Sequence, residues 1–172
     1  MKVNYAVVTR AALLLALTLV FQSLRFMIPI PFFFSIFLIG SLVNMCLLVA
    51  VETVGFKYTL IIVFLAPVVA YFQQLLPLPL FILPVALGNV IYIGVHILGR
   101  QWHDGLRIGI GAFSKFMFMY AAFSWLLTLL ALPDKLAGNL LLVMSWPQFV
   151  TGVIGGITAR IMNKRLQLLM KK

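Results

Sequence analysis

Apolar runs, each about as long as a bilayer asks of a spanning helix, follow one another along most of this chain. A helix that crosses the hydrocarbon core needs about 20 such residues. Six candidates are present, at 5–27, 33–53, 58–76, 80–98, 106–132 and 136–162. In lipid every backbone N–H and C=O must be satisfied within its own segment, so runs of this kind become helices and the fold class is all-α. Composition agrees with this reading. Of 172 residues 64% are hydrophobic, the mean hydropathy is +1.16 and 9% are charged, whereas soluble domains keep about a quarter of their residues charged. The expectation is one integral membrane domain, 1–172, with six transmembrane helices and no separate soluble domain. The first run is too long for a signal peptide and lacks its cleavage pattern, so it counts as a span.

Proline, glycine and charge mark the connections. Pro29 and Pro31 separate the first two runs, Gly55 and Lys57 the next two, and Pro77 and Pro79 the third from the fourth. The polar segment 99–105 and the triplet Pro133, Asp134, Lys135 supply the last two. With both termini in the cytoplasm, the inner side holds Lys2, Arg10, Lys57, Arg100, Arg107, Arg160, Lys164, Arg165, Lys171 and Lys172. The outer side then holds Arg25 and Lys135, and Lys115 lies within the fifth span. This is a strong positive-inside bias and sets the expected orientation. The outer connections 27–34 and 75–80 are apolar and proline-rich, which suits either plain interfacial loops or a lid folded over a cavity.

The net charge of +10 does not point to nucleic acid, because the basic residues sit in short loops and at the C-terminus, where membrane topology accounts for them. The lone cysteine, Cys46, has no intrachain disulfide partner and reads as a small packed hydrophobe. Acids number three: Glu52 and Asp104 on the inner side, Asp134 in an outer loop. None stands at useful spacing from a histidine. His96 and His103 lack a third ligand nearby, so no metal site is expected. There is no phosphate-cradling glycine loop and no paired intramembrane carboxylate. The chain therefore reads as no enzyme, with no cofactor and no engine of its own.

What remains is a set of polar residues at intramembrane depth, where such groups are costly and face a cavity or the bundle interior. Lys115 is the sharpest, either turned toward a ligand or partner or snorkelling inward. Gln22 and Arg25 on the first span, Gln73 and Gln74 on the third, Asn89 and Tyr92 on the fourth, Trp125 on the fifth, and Trp146 and Gln148 on the sixth lie in the outer half. Singly, amides tie helices together and tryptophans sit in interfacial belts. Together they suit an outward-open pocket with aromatic walls and a few amides. Asn44, midway along the second span, reads as a helix–helix bond, and Gly152 with Gly156 as a close-packing step. With no carboxylate expected near the pocket beyond loop residue Asp134, a cationic ligand would lack a counter-ion. Arg25 and Lys115 favour a neutral or carboxylate-bearing one.

The first span carries Ala12 and Ala16, four residues apart beside Ala11. A small-xxx-small face lets another helix approach closely in lipid. With this motif, six helices, a basic balance and this length, the chain resembles the substrate-binding S component of an energy-coupling factor (ECF) vitamin transporter. The resemblance implies that Ala12 and Ala16 dock on a membrane coupling subunit and that two ATPase subunits supply the energy. It implies a prokaryotic plasma-membrane protein that captures a vitamin or related micronutrient. It also places the ligand under the loop 28–34, against helices carrying Asn89, Tyr92, Lys115, Trp125, Trp146 and Gln148. The first four residues lack the histidine of cobalt- and nickel-specific members, and the acid of the thiamine-specific pattern is missing. An alternative is a six-helix membrane scaffold of cell-wall morphogenesis, similar to MreD, whose polar residues serve packing alone.

Overall fold

The computed structural model describes residues 5–27 and 31–170. Six α-helices make up most of them: α1 Tyr5–Met27, α2 Phe32–Thr53, α3 Phe56–Phe72, α4 Ile82–Leu98, α5 Asp104–Leu129 and α6 Asp134–Met170. Single 3₁₀ turns, Pro79–Phe81 and Gly99–Gln101, lead into and out of α4, and the described residues contain no strand. Five segments are long and apolar enough to cross a membrane: Tyr5–Met27, Phe33–Thr53, Pro79–Gln101, Asp104–Leu129 and Asp134–Leu166. The protein is an all-helical, multi-pass membrane protein. Helix α3 is also apolar but has 17 residues, so at about 1.5 Å per residue it falls short of a hydrocarbon core of about 30 Å.

Three helices have C-terminal ends that differ from the sequence expectation, each for a local reason. The third run was expected to continue to 76, but α3 stops at Phe72. There Gln74 adopts a left-handed backbone (φ 57°), and the Leu75 N–H returns to the Ala70 carbonyl at 2.9 Å. The fifth run was expected to reach 132, but α5 ends at Leu129. Ala131 is again left-handed (φ 47°), and Pro133 disfavours helix at the residue before it. The sixth helix, expected to end at 162, runs on to Met170. Its polar segment Asn163, Lys164 and Arg165 has ordinary helix propensity, and leaving the apolar layer does not by itself end a helix.

Helix α2 is the hub, packed against α1, α3, α4 and α6, while α5 packs on α4 and α6. Small residues set these approaches. A Cβ on Gly155 of α6 would stand 2.6 Å from the Asn44 Cβ and 2.7 Å from the Ser41 carbonyl oxygen on α2. On the same helix, Gly152 and Gly156 would meet Ala112 and Ile108 of α5 at 2.9 and 2.6 Å. The 152/156 step is therefore a packing surface, and Gly155 seats the opposite side. Without water to drive association, this backbone proximity is what brings α2, α5 and α6 together.

The apolar core divides in two. One cluster runs from Met45 to Val51 and takes in Ile62, Val63, Tyr92, Ile93, Ala112 and Ala159; Cys46 sits in it, buried and packed. The other gathers Ala70, Leu76, Phe81, Met119, Phe123 and Leu127 toward the proline-rich end. A polar layer separates them along each helix: Asn89 falls between Val85 and Tyr92, Lys115 between Ala112 and Met119, and Gln148 between Met144 and Thr151.

The far end of the first cluster is the basic end. Glu52 bonds the Arg107 guanidinium and lies 3.1 Å from His96 Nε2. Arg107 Nε also donates to the His96 carbonyl at 2.6 Å, and Arg160 pairs with Asp104 at 2.7 Å. These contacts tie the ends of α2, α4, α5 and α6 into one charge cluster. Lys2, Lys171 and Lys172 lie outside the described residues.

Candidate functional site

The polar layer lines a chamber of about 130 Å³. Its polar wall is Gln22 from α1, Asn44 from α2, Asn89 from α4, Lys115 from α5 and Gln148 from α6; Ala66 and Pro67 close the α3 side. Proline inside α3 carries no N–H. The neighbouring Ala66 carbonyl accepts a hydrogen bond from Gln22 Nε2 at 3.2 Å. That bond identifies the nitrogen of the amide, so Gln22 Oε1 is the atom left buried without a partner.

Lys115 organises the chamber. It is 3% exposed, and Nζ donates to Asn44 Oδ1 at 2.7 Å. Asn44 Nδ2 in turn donates to Thr151 Oγ1 at 3.1 Å, so one chain of bonds crosses α5, α2 and α6. The Tyr92 ring lies beneath the ammonium, 5.4 Å from Nζ to the centroid, and its hydroxyl is fixed by donation to the Gly152 carbonyl at 2.6 Å. Among the described residues the three ion pairs are all at the basic end, and no carboxylate lines the chamber. Of the two readings open for Lys115 in the sequence, the structure has it turned into the interior.

Toward the proline-rich end the chamber adjoins a second cavity of about 150 Å³, lined by Arg25, Ser35, Ile36, Val143 and Met144. The two share the walls Ile39, Leu75, Leu76, Val85 and Gln148. The second proline-rich connection thus folds over the cavity through Leu75 and Leu76. Part of the first, 28–30, lies outside the described residues. In the other direction Leu47, Leu48, Val51 and Ile93, all fully buried, stand between the chamber and the basic end.

Gln22, Arg25, Asn89, Lys115 and Gln148 therefore converge, as wall residues of one compound cavity. Tyr92 supports Lys115 from below. The other members of the expected set lie elsewhere. Gln73 Nε2 donates to Ser23 Oγ at 2.9 Å, a tie between α3 and α1. Trp125 is 66% exposed on the bundle's outer surface. Trp146 is 37% exposed and packs on Phe37 and Phe33, with centroids 5.3 and 6.2 Å away. The cavity walls are aliphatic with amides, not aromatic. Asn44 is the wall residue that the sequence reading assigned to a helix–helix bond. It does bond across helices, and it also faces the chamber; its depth, level with Lys115, was the available signal.

On α1 the helix has two unlike faces. Val7, Ala11, Leu14, Leu15 and Phe21 pack on the core, and Thr18 and Gln22 are buried. Ala12 and Ala16 lie on the other face, exposed beside Leu13, Leu17 and Val20. No group of three or more metal-ligating side chains occurs among the described residues. No family model matches this chain, and no curated protein or solved structure does either.

Proposed function

We propose that this chain is the substrate-capture subunit of an ECF-type, ATP-driven importer for a vitamin or related small micronutrient. The observation that carries the reading is the compound cavity: a buried polar chamber that adjoins a vestibule at one end and a sealed apolar core at the other. A capture subunit needs such a blind site, whereas a channel needs a polar path through the whole bundle. In this reading α3 is the sixth span, both termini face the cytoplasm of a prokaryotic cell, and the cavity faces outward. The exposed face of α1 around Ala12 and Ala16 docks on the membrane coupling subunit, and two partner ATPases supply the energy.

A cell-wall scaffold of the same size is the second reading. It is favoured by the bonds Gln22–Ala66, Asn44–Thr151 and Gln73–Ser23, which tie helices together whether or not a ligand binds. The two readings separate in one experiment. The detergent-purified protein is stripped, the released small molecules are identified by mass spectrometry, and each is tested by thermal shift. A tightly bound micronutrient supports capture; an empty protein that no small molecule stabilises supports the scaffold. The paired substitution Ala12→Trp and Ala16→Trp is expected to abolish uptake and co-purification of partner subunits while leaving ligand affinity unchanged. Loss of affinity would mean that these alanines pack within the subunit.

A further inference from the structure

We infer that the inner chamber takes the carboxylate of a small monoanionic ligand, with Lys115 as its counter-ion and Asn44 as the residue that positions the ammonium. The inference rests on the capture reading and adds the chemical class of the ligand. Lys115 is buried and carries three donors, of which Asn44 Oδ1 takes one. Among the described residues no carboxylate pairs with it, and a desolvated ammonium without a counter-charge is strongly disfavoured. An anion entering the chamber supplies that charge. Asn44 is suited to the positioning role because its amide nitrogen is held by Thr151. The carbonyl oxygen is thereby directed at Nζ, which it orients without neutralising.

The remaining walls refine the class. Lys115 is the one ionisable side chain lining the chamber, and Arg25 lines the adjoining vestibule, so the chamber itself matches a single negative charge. Gln22 Oε1, buried and unpartnered, calls for a hydroxyl or amide N–H donor on the ligand. Ile36, Val143 and Met144 of the vestibule suit a short apolar body. An apolar cavity of about 150 Å³ holds one benzene, so chamber and vestibule together accommodate about a dozen non-hydrogen atoms.

The test uses the full-length protein in lipid nanodiscs. The probes are hydroxy- and amido-monocarboxylates of up to about a dozen non-hydrogen atoms, each matched with its primary amide and its amine. Binding is read by thermal shift and calorimetry, alongside the charge of any co-purifying molecule. At least one carboxylate is expected to bind about 100-fold more tightly than its amide, with no binding of the amine. Lys115→Met should lose a similar factor. Asn44→Asp sets a carboxylate beside the ammonium, so it should weaken carboxylate binding about tenfold or more while raising the melting temperature of the empty protein. This second variant answers the question even where Lys115→Met fails to fold. An amide or amine that binds as tightly as its carboxylate, a neutral or cationic co-purifying molecule, or undiminished carboxylate binding by both variants overturns the inference and leaves capture standing. No binding by any probe and no co-purifying molecule overturn both.

Discussion

The basic end of this bundle and its polar layer handle charge in opposite ways. At the basic end Glu52 and Asp104 each meet an arginine, and Glu52 lies within bonding distance of His96 as well. At the polar layer Lys115 is more deeply buried than any of these, yet it meets an amide oxygen and an aromatic ring. Charges of both signs held together satisfy each other and leave nothing for a ligand to do. Lys115 is held by neutral dipoles, with no carboxylate lining its chamber. The basic end also encloses a cavity of about 210 Å³, larger than the chamber, but its arginines are already engaged. The two cavities differ in charge pairing and not only in size.

The comparison can be broken most forcefully at Arg107. Arg107→Met removes a partner of the Glu52 carboxylate and the bond to the His96 carbonyl. Stability in detergent should fall by about 2–3 kcal/mol, less than for a fully buried pair because Glu52 keeps some access to solvent. Adding Glu52→Gln should recover part of that loss in chemical denaturation. A full and unrecovered loss would mean that Arg107 acts through packing rather than charge. The matching change at the polar layer has the opposite sense. Lys115→Met relieves a desolvated charge and forfeits one hydrogen bond, so the melting temperature of the empty protein should stay level or rise, a change within about 1 kcal/mol. A fall of about 3 kcal/mol would show that Lys115 is a structural tie and that the two regions do not differ. The smallest effect belongs to Asp104→Asn. Both members of its pair with Arg160 are about 40% exposed, so the expected loss is below about 1 kcal/mol and should vanish in high salt.

Much of this architecture was legible in the sequence. Apolar run lengths announced the helices, since a bilayer permits little else. The sorting of lysine and arginine grouped Arg107, Arg160 and Lys164, which line one cavity at the basic end. Polar residues inside apolar runs pointed to the interior, and five of the nine expected site residues line a cavity there. The misplaced members are instructive. Trp125 and Trp146 have the composition of a pocket wall, but tryptophan is equally at home against lipid. Gln73 lies one residue past the end of α3, where a left-handed turn redirects the chain, and nothing in the apolar run marks that turn.

By itself, then, the sequence determined the all-helical class of the fold and the order of polar and apolar groups along each helix. Hydrophobicity and charge act along the membrane normal, and a linear chain records that coordinate directly. Only the tertiary structure decided helix rotation, and with it the bonds joining Lys115, Asn44 and Thr151. In water an apolar stripe tells which side of a helix is inside. In lipid both sides are apolar, so rotation is settled by side-chain shape and close backbone approach, as at Gly152, Gly155 and Gly156, and these exist once the helices have met.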